Sequence, residues 1–181
     1  MSYLGDNIDL ENYKWRLIEI SKVDDEVIKK LVSNLNSGLS DEFFISFESL
    51  LKIGKRAEPN IKAVLTDLEE KFAKRKEIFN LVLSCIRNKE VKNPLIHHLY
   101  HPDFEVRARA IGKIEERKDL FYIPYILPLL EDPDDSVRWA LIKLLVNLKQ
   151  VKNPAINEKL KQHLERESNP IIREKISMLI T

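Results

Sequence analysis

The sequence predicts an all-α protein, a right-handed alpha-alpha superhelix of about five stacked helix pairs preceded by one further helix. Three observations carry this expectation. A segment of the chain recurs. Leu99–Ile111 reads Leu-Tyr-His-Pro-Asp-Phe-Glu-Val-Arg-Ala-Arg-Ala-Ile, and Leu130–Ile142 repeats its Pro-Asp, its Val-Arg three residues later and the apolar stripe that follows. A looser copy, Leu164–Ile176, has Ile172-Arg173 in the place of Val-Arg. The anchors Ile45, Ile78, Val106, Val137 and Ile172 are separated by 33, 28, 31 and 35 residues, close to the length of one two-helix solenoid unit. Finally, only 4 glycines occur in 181 residues and no stretch alternates apolar and polar residues long enough to compete as a strand.

The elements follow in order. Leu10, Tyr13, Leu17 and Ile18 have helical spacing and predict a capping helix at about 9–21. The first pair is 24–36 and 40–54, the second 58–72 and 75–87, the third 91–100 and 103–116. The fourth is 122–131 and 134–148, and the fifth 154–166 and 169–180, so that residues 1–181 make one repeat domain. Pro102 and Pro133 are expected at helix starts, where a missing N–H costs nothing, and Asp103, Asp134 and Asp135 in first turns, where the helix dipole favours negative charge. The helix at 40–54 carries Phe43, Phe44, Ile45, Phe47, Leu50, Leu51 and Ile53 around nearly its whole circumference, so it must be buried on more than one side. Its own partner and the second pair cover part of it. Phe44, Phe47 and Leu51 are left for the leading helix to cover.

Charge excludes some functions. With 33% charged residues and a net charge of +1, no global field draws the chain toward nucleic acid or an anionic membrane. The signs are mixed along its length: residues 1–40 hold five basic and seven acidic side chains, residues 132–181 nine and seven. The longest apolar run, Tyr122–Leu130, is interrupted by two prolines and is far shorter than a membrane span. One cysteine, Cys85, allows no internal disulfide, and together with the absence of a signal-peptide pattern points to the cytoplasm.

The residues Asp132-Pro133, Val137-Arg138 and Ala140-Leu141, with Pro102-Asp103 and Val106-Arg107, resemble the HEAT-repeat family, especially its short phycobilisome-lyase-like form. The resemblance covers residues 90–181 by motif and 24–90 by period alone. It implies a ladder in which an Arg opening each second helix bonds an Asp in the inter-helix turn. Arg107, Arg138 and Arg173 match the Arg, and Asp132 alone matches the Asp, its equivalents being His101 and Glu167. Ser46 and Phe79 stand where the first two repeats would carry Arg, so the ladder is expected to be incomplete there.

No arrangement suited to catalysis or to a cofactor emerges. His97 and His101 are four apart, but Pro102 ends the helix, no Glu follows either His and no third ligand is near, so no metal is expected. Asp132, Asp134 and Asp135 lack the alternating ligands and the glycine of a calcium loop and read as helix caps. The basic run Lys71, Lys74, Arg75 and Lys76 is flanked by glutamates and reads as a solvated turn. Cys85, within an apolar stretch, reads as buried and inert. Arg109, Trp139 and Lys143 are the candidate binding surface. Trp139 occupies a slot that is Ala108 or Glu174 in other repeats, so it borders on exposure, where a Trp can anchor a partner or pack on the next repeat.

The expected function is a non-catalytic protein-binding or scaffolding module using the concave surface. The alternative is a nucleic-acid or DNA-repair protein similar to the HEAT-like alkylpurine glycosylases, which work through Trp, Asp and Arg on a strongly basic face. This near-neutral chain offers only Trp139 and Arg109 for such a role. A protein partner is therefore expected, with nucleic acid not favoured and no membrane.

Overall fold

A computed structural model describes residues 23–68, 73–87 and 94–180. They form α1 (Asp25–Asn34) with α2 (Asp41–Ile53), α3 (Glu58–Asp67) with α4 (Ala73–Arg87), and α5 (Pro94–Leu99) with α6 (Phe104–Arg117). α7 (Ile123–Ile126) is followed by α8 (Asp135–Asn147), and α9 (Pro154–Leu164) by α10 (Pro170–Leu179). No strand occurs among the described residues. The helix expected at 9–21 lies outside them.

Each second helix outside the α3–α4 pair starts on a side-chain cap. Ser40 Oγ accepts the Phe43 N–H at 3.2 Å, Asp103 Oδ1 the Glu105 N–H at 2.8 Å, Asp134 Oδ1 the Ser136 N–H at 2.9 Å and Asn169 Oδ1 the Ile171 N–H at 3.0 Å. Each such cap contributes about 1 kcal/mol. Asp103 and Asp134 are thus the caps themselves. Pro102 and Pro133 stand one residue ahead of them, in the turn, and not at the first helical position that the sequence suggested. α6 ends on Lys118 in the left-handed region (φ 52°) and α2 on Gly54 (φ 67°), conformations that break the helical path.

The single helix expected at 122–131 is divided. A 3-10 turn (Leu120–Tyr122), α7 and a second 3-10 turn (Leu127–Glu131) follow one another. Pro124 and Pro128 cause this, because a proline supplies no N–H to the carbonyl four residues back. The helix expected at 58–72 ends at Asp67.

The core is continuous from Val23 to Ile176. α6 packs along α8 more extensively than any other pair, and α10 continues against α8. The all-round burial expected of α2 is found: Phe43, Phe44, Phe47 and Leu50 are inaccessible to solvent, while Leu51 stays half-buried. α2 touches α4, and Phe44 and Phe47 also close on the third hairpin. The Phe47 ring stacks on Tyr100 at 4.8 Å, and Phe44 lies under Arg107. The Tyr100 hydroxyl, fully buried, donates to the Tyr125 carbonyl at 2.8 Å and carries the contact on to the fourth hairpin. α4 also runs beside the first-helix side of the array, where its Glu77–Ser84 stretch faces α7 and α9 across a groove.

Candidate functional site

Three turns in the second half of the chain are built alike. In each, the backbone N–H two residues on bonds the side chain at the turn: Asp103 N–H to His101 Nδ1 at 3.0 Å, Asp134 N–H to Asp132 Oδ1 at 3.0 Å, and Asn169 N–H to Glu167 Oε1 at 2.8 Å. Six residues after each turn residue comes an arginine whose Nη1 returns to that turn's carbonyl. Arg107 reaches His101 O at 2.8 Å, Arg138 reaches Asp132 O at 2.8 Å and Arg173 reaches Glu167 O at 2.9 Å.

The other edge of the guanidinium crosses to the next repeat. Arg107 Nε and Nη2 both bond the Asp132 carboxylate at 2.8 Å. Arg138 Nε and Nη2 bond Glu167 at 2.8 and 2.7 Å. Both pairs are bidentate and buried, the geometry in which Arg–carboxylate bonding is strongest. Arg173 is exposed and bonds the Leu164 and Glu167 carbonyls. Glu167 therefore supplies the second carboxylate that sequence reading ascribed to Asp132 alone. Glu167 makes the same pair of bonds to Arg138 that Asp132 makes to Arg107.

The two carboxylates differ electrostatically. Burial pushes the Asp132 carboxyl above its ordinary range, against the pull of Arg107. At Glu167 burial acts in the same direction, but Arg138, the Asn169 N–H and the buried His163 hold the carboxyl at about 2. The additional partner is His163 Nε2, at 2.8 Å from Glu167 Oε2.

At its first end the ladder closes on an aromatic ring. Counted from its N-cap Ser40, Phe44 holds in α2 the place that Arg107, Arg138 and Arg173 hold in theirs. The Arg107 Cζ lies 3.9 Å from the centroid of that ring. A desolvated guanidinium over an aromatic face gains about 2 kcal/mol. Ser46, expected at this place from the period, lies two residues further on. It is buried and accepts a hydrogen bond from Asn34 Nδ2 at 3.0 Å.

The opposite stripe of the same helices faces solvent. Counted from the N-caps, Phe104, Asp135 and Pro170 are first, Ala108, Trp139 and Glu174 fifth, and Gly112, Lys143 and Met178 ninth. Residues at this spacing share one helix face. Trp139 is at its centre and 40% exposed. At the equivalent positions α6 carries only Ala108 and Gly112, and a Cβ at Gly112 would meet nothing within 4 Å. Lys143 Nζ lies 3.7 Å from Glu115 across the α6–α8 seam, and Glu115 also accepts from Asn147. Arg109 is exposed and pairs with Glu105 on its own helix at 3.7 Å.

His97, His98 and His101 are each pushed below the ordinary imidazole range, first of all by burial. Among the described residues no group of three or more metal-ligating side chains comes together. Cys85 is half-buried, and burial pushes its thiol up to about 11. No described helix is long and apolar enough to cross a membrane.

Comparison with family models matches residues 93–180 to HEAT repeats. Comparison with curated proteins and with solved structures found no match. The match spans the three alike turns, the Arg–carboxylate rungs and the helices α5 to α10. Residues 93–180 of this chain are HEAT repeats.

Proposed function

We propose that this chain is a non-catalytic protein-binding module that engages its partner on the exposed stripe of α6, α8 and α10. One observation supports the reading above the others: Trp139 stands 40% exposed in the middle of that stripe, where the equivalent positions of α6 carry only Ala108 and Gly112. A partly exposed Trp among small side chains is suited to anchor an interface, because the ring gains area on binding at little entropic cost. Lys143 lies one turn on along the same face of α8, and Arg109 is exposed on α6, where both can supply polar contacts to a partner. Nucleic acid is the weaker reading, since both cations already have carboxylate neighbours and the chain is close to neutral.

Affinity capture with the wild-type chain, compared by quantitative mass spectrometry with Trp139→Ala and Lys143→Glu, tests the proposal. A protein held by the wild type should be lost from Trp139→Ala and weakened by Lys143→Glu. Identical captures from all three would refute it.

A further inference from the structure

A second surface lies on the other side of the repeats. α4, with the turn between α1 and α2, faces α7, its following 3-10 turn and α9, and two clefts open between them. The first holds about 490 Å³ and has Leu35, Leu39, Ile78, Leu127 and Leu130 in its walls. The second holds about 590 Å³ and is walled by Leu81, Pro124, Tyr125 and Ile156. Glu77, Ile78, Leu127, Pro128 and Lys159 belong to both, so the two are one elongated apolar groove with a neck. Next to Tyr125, the Phe121 ring (57% exposed) extends the apolar surface outward at 5.5 Å.

The polar groups of this groove indicate what it holds. At the neck, Glu77 projects from the α4 wall and Lys159 from the α9 wall, both exposed, and neither forms an ion pair among the described residues. Asn36 also stands in the wall of the first cleft. An elongated apolar trough with Glu77 on its α4 wall, and Lys159 and Arg166 on its α9 wall (the latter paired with Glu131 at 3.0 Å), is complementary to an amphipathic peptide segment. Its apolar side chains would fill the trough, its basic flank would face Glu77 and its acidic flank Lys159. We propose that the groove between α4 and the α7–α9 layer is a second docking site, for an amphipathic helical segment of a partner protein. The site is independent of the Trp139 surface.

The test uses the full chain and a phage-displayed library of 16-residue peptides. Selected peptides are synthesised and titrated by fluorescence anisotropy against the wild type, Ile78→Lys, Lys159→Glu and Trp139→Ala. Peptides with an apolar stripe between acidic and basic flanks are expected. Their affinity should fall about tenfold or more on Ile78→Lys, which places a charge in the trough, and several-fold on Lys159→Glu, with no change on Trp139→Ala. Circular dichroism checks that the variants fold. Should Ile78→Lys not fold, amide chemical-shift mapping on the wild type decides, and the shifts should gather at residues 35–39, 77–84, 123–130 and 159–166. No selected peptide, affinity that survives both groove substitutions, or shifts gathered around Trp139 would overturn the proposal. Loss on Trp139→Ala alone would assign the peptides to the other face.

Discussion

Replacing Glu167 by glutamine tests the energetics of the ladder quantitatively. The carboxylate is 3% exposed and accepts two bonds from Arg138, one from the Asn169 N–H and one from His163. Burial pushes its carboxyl up, but these donors hold it at about 2, against an ordinary 4.5. At 1.36 kcal/mol per pH unit the difference amounts to about 3 kcal/mol of stability. A carboxyl held low in the folded state contributes fully above its unfolded value, near 4.5, and the contribution disappears as pH falls from there to about 2. Glu167→Gln should therefore lower stability at pH 7 by about 3 kcal/mol, a fall in Tm of about 6–12 °C for a chain of this size. Calorimetry at pH 7 and at pH 2.5 supplies the check, with the gap between wild type and variant shrinking at the lower pH. Asp132, held above its ordinary range, has the opposite sign, so Asp132→Asn should not flatten the acid limb in this way. A Glu167→Gln Tm within 1 °C of wild type at pH 7, or a gap unchanged at pH 2.5, would show that the carboxylate is not held as the geometry indicates.

Three further outcomes are expected. Phe44→Leu keeps most of the apolar volume but removes the ring under Arg107, and should cost about 2 kcal/mol in urea unfolding, whereas an exposed core-distant change such as Lys143→Ala should stay within about 0.5 kcal/mol. Cys85, with its thiol at about 11, is ionised to about one part in ten thousand at pH 7, so an aromatic disulfide reagent should modify it far more slowly in the folded chain than in guanidinium. Gly112→Ala meets no neighbour and should stabilise α6 by about 0.5–1 kcal/mol, while Gly112→Leu should put bulk on the stripe that includes Trp139 and abolish partner capture with the fold intact, as thermal melting would show.

The repeats at 93–180 were legible because their signals are local. A turn residue, a cap two residues on and an arginine four residues after the cap all lie within one short stretch, and the copies at His101, Asp132 and Glu167 repeat it. Glu167 was misjudged because the family pattern puts Asp there, although Glu makes the same bidentate bonds. Phe44 was missed for a different reason. The period aligned Ile45 with Val106, whereas counting from the cap at Ser40 aligns Phe43 with Val106 and Phe44 with Arg107. A capping residue fixes register to one position, and a period that varies between 28 and 35 residues does not. The groove beside α4 left no trace in the sequence, because it arises from where α4 lies against α7 and α9 and not from any pattern within those helices. Among the surface residues, Trp139 and Arg109 were singled out as candidates by comparing slots between repeats.

The account rests most on the exposed stripe around Trp139 being the surface that a partner covers. Hydrogen–deuterium exchange of the chain, alone and with the captured partner, measures this directly. Protection is predicted at Phe104–Lys113 and Asp135–Asn147, and in the chain's unbound state those amides should exchange faster than under the partner. Protection confined to other elements, with these two stretches unchanged, would contradict the account.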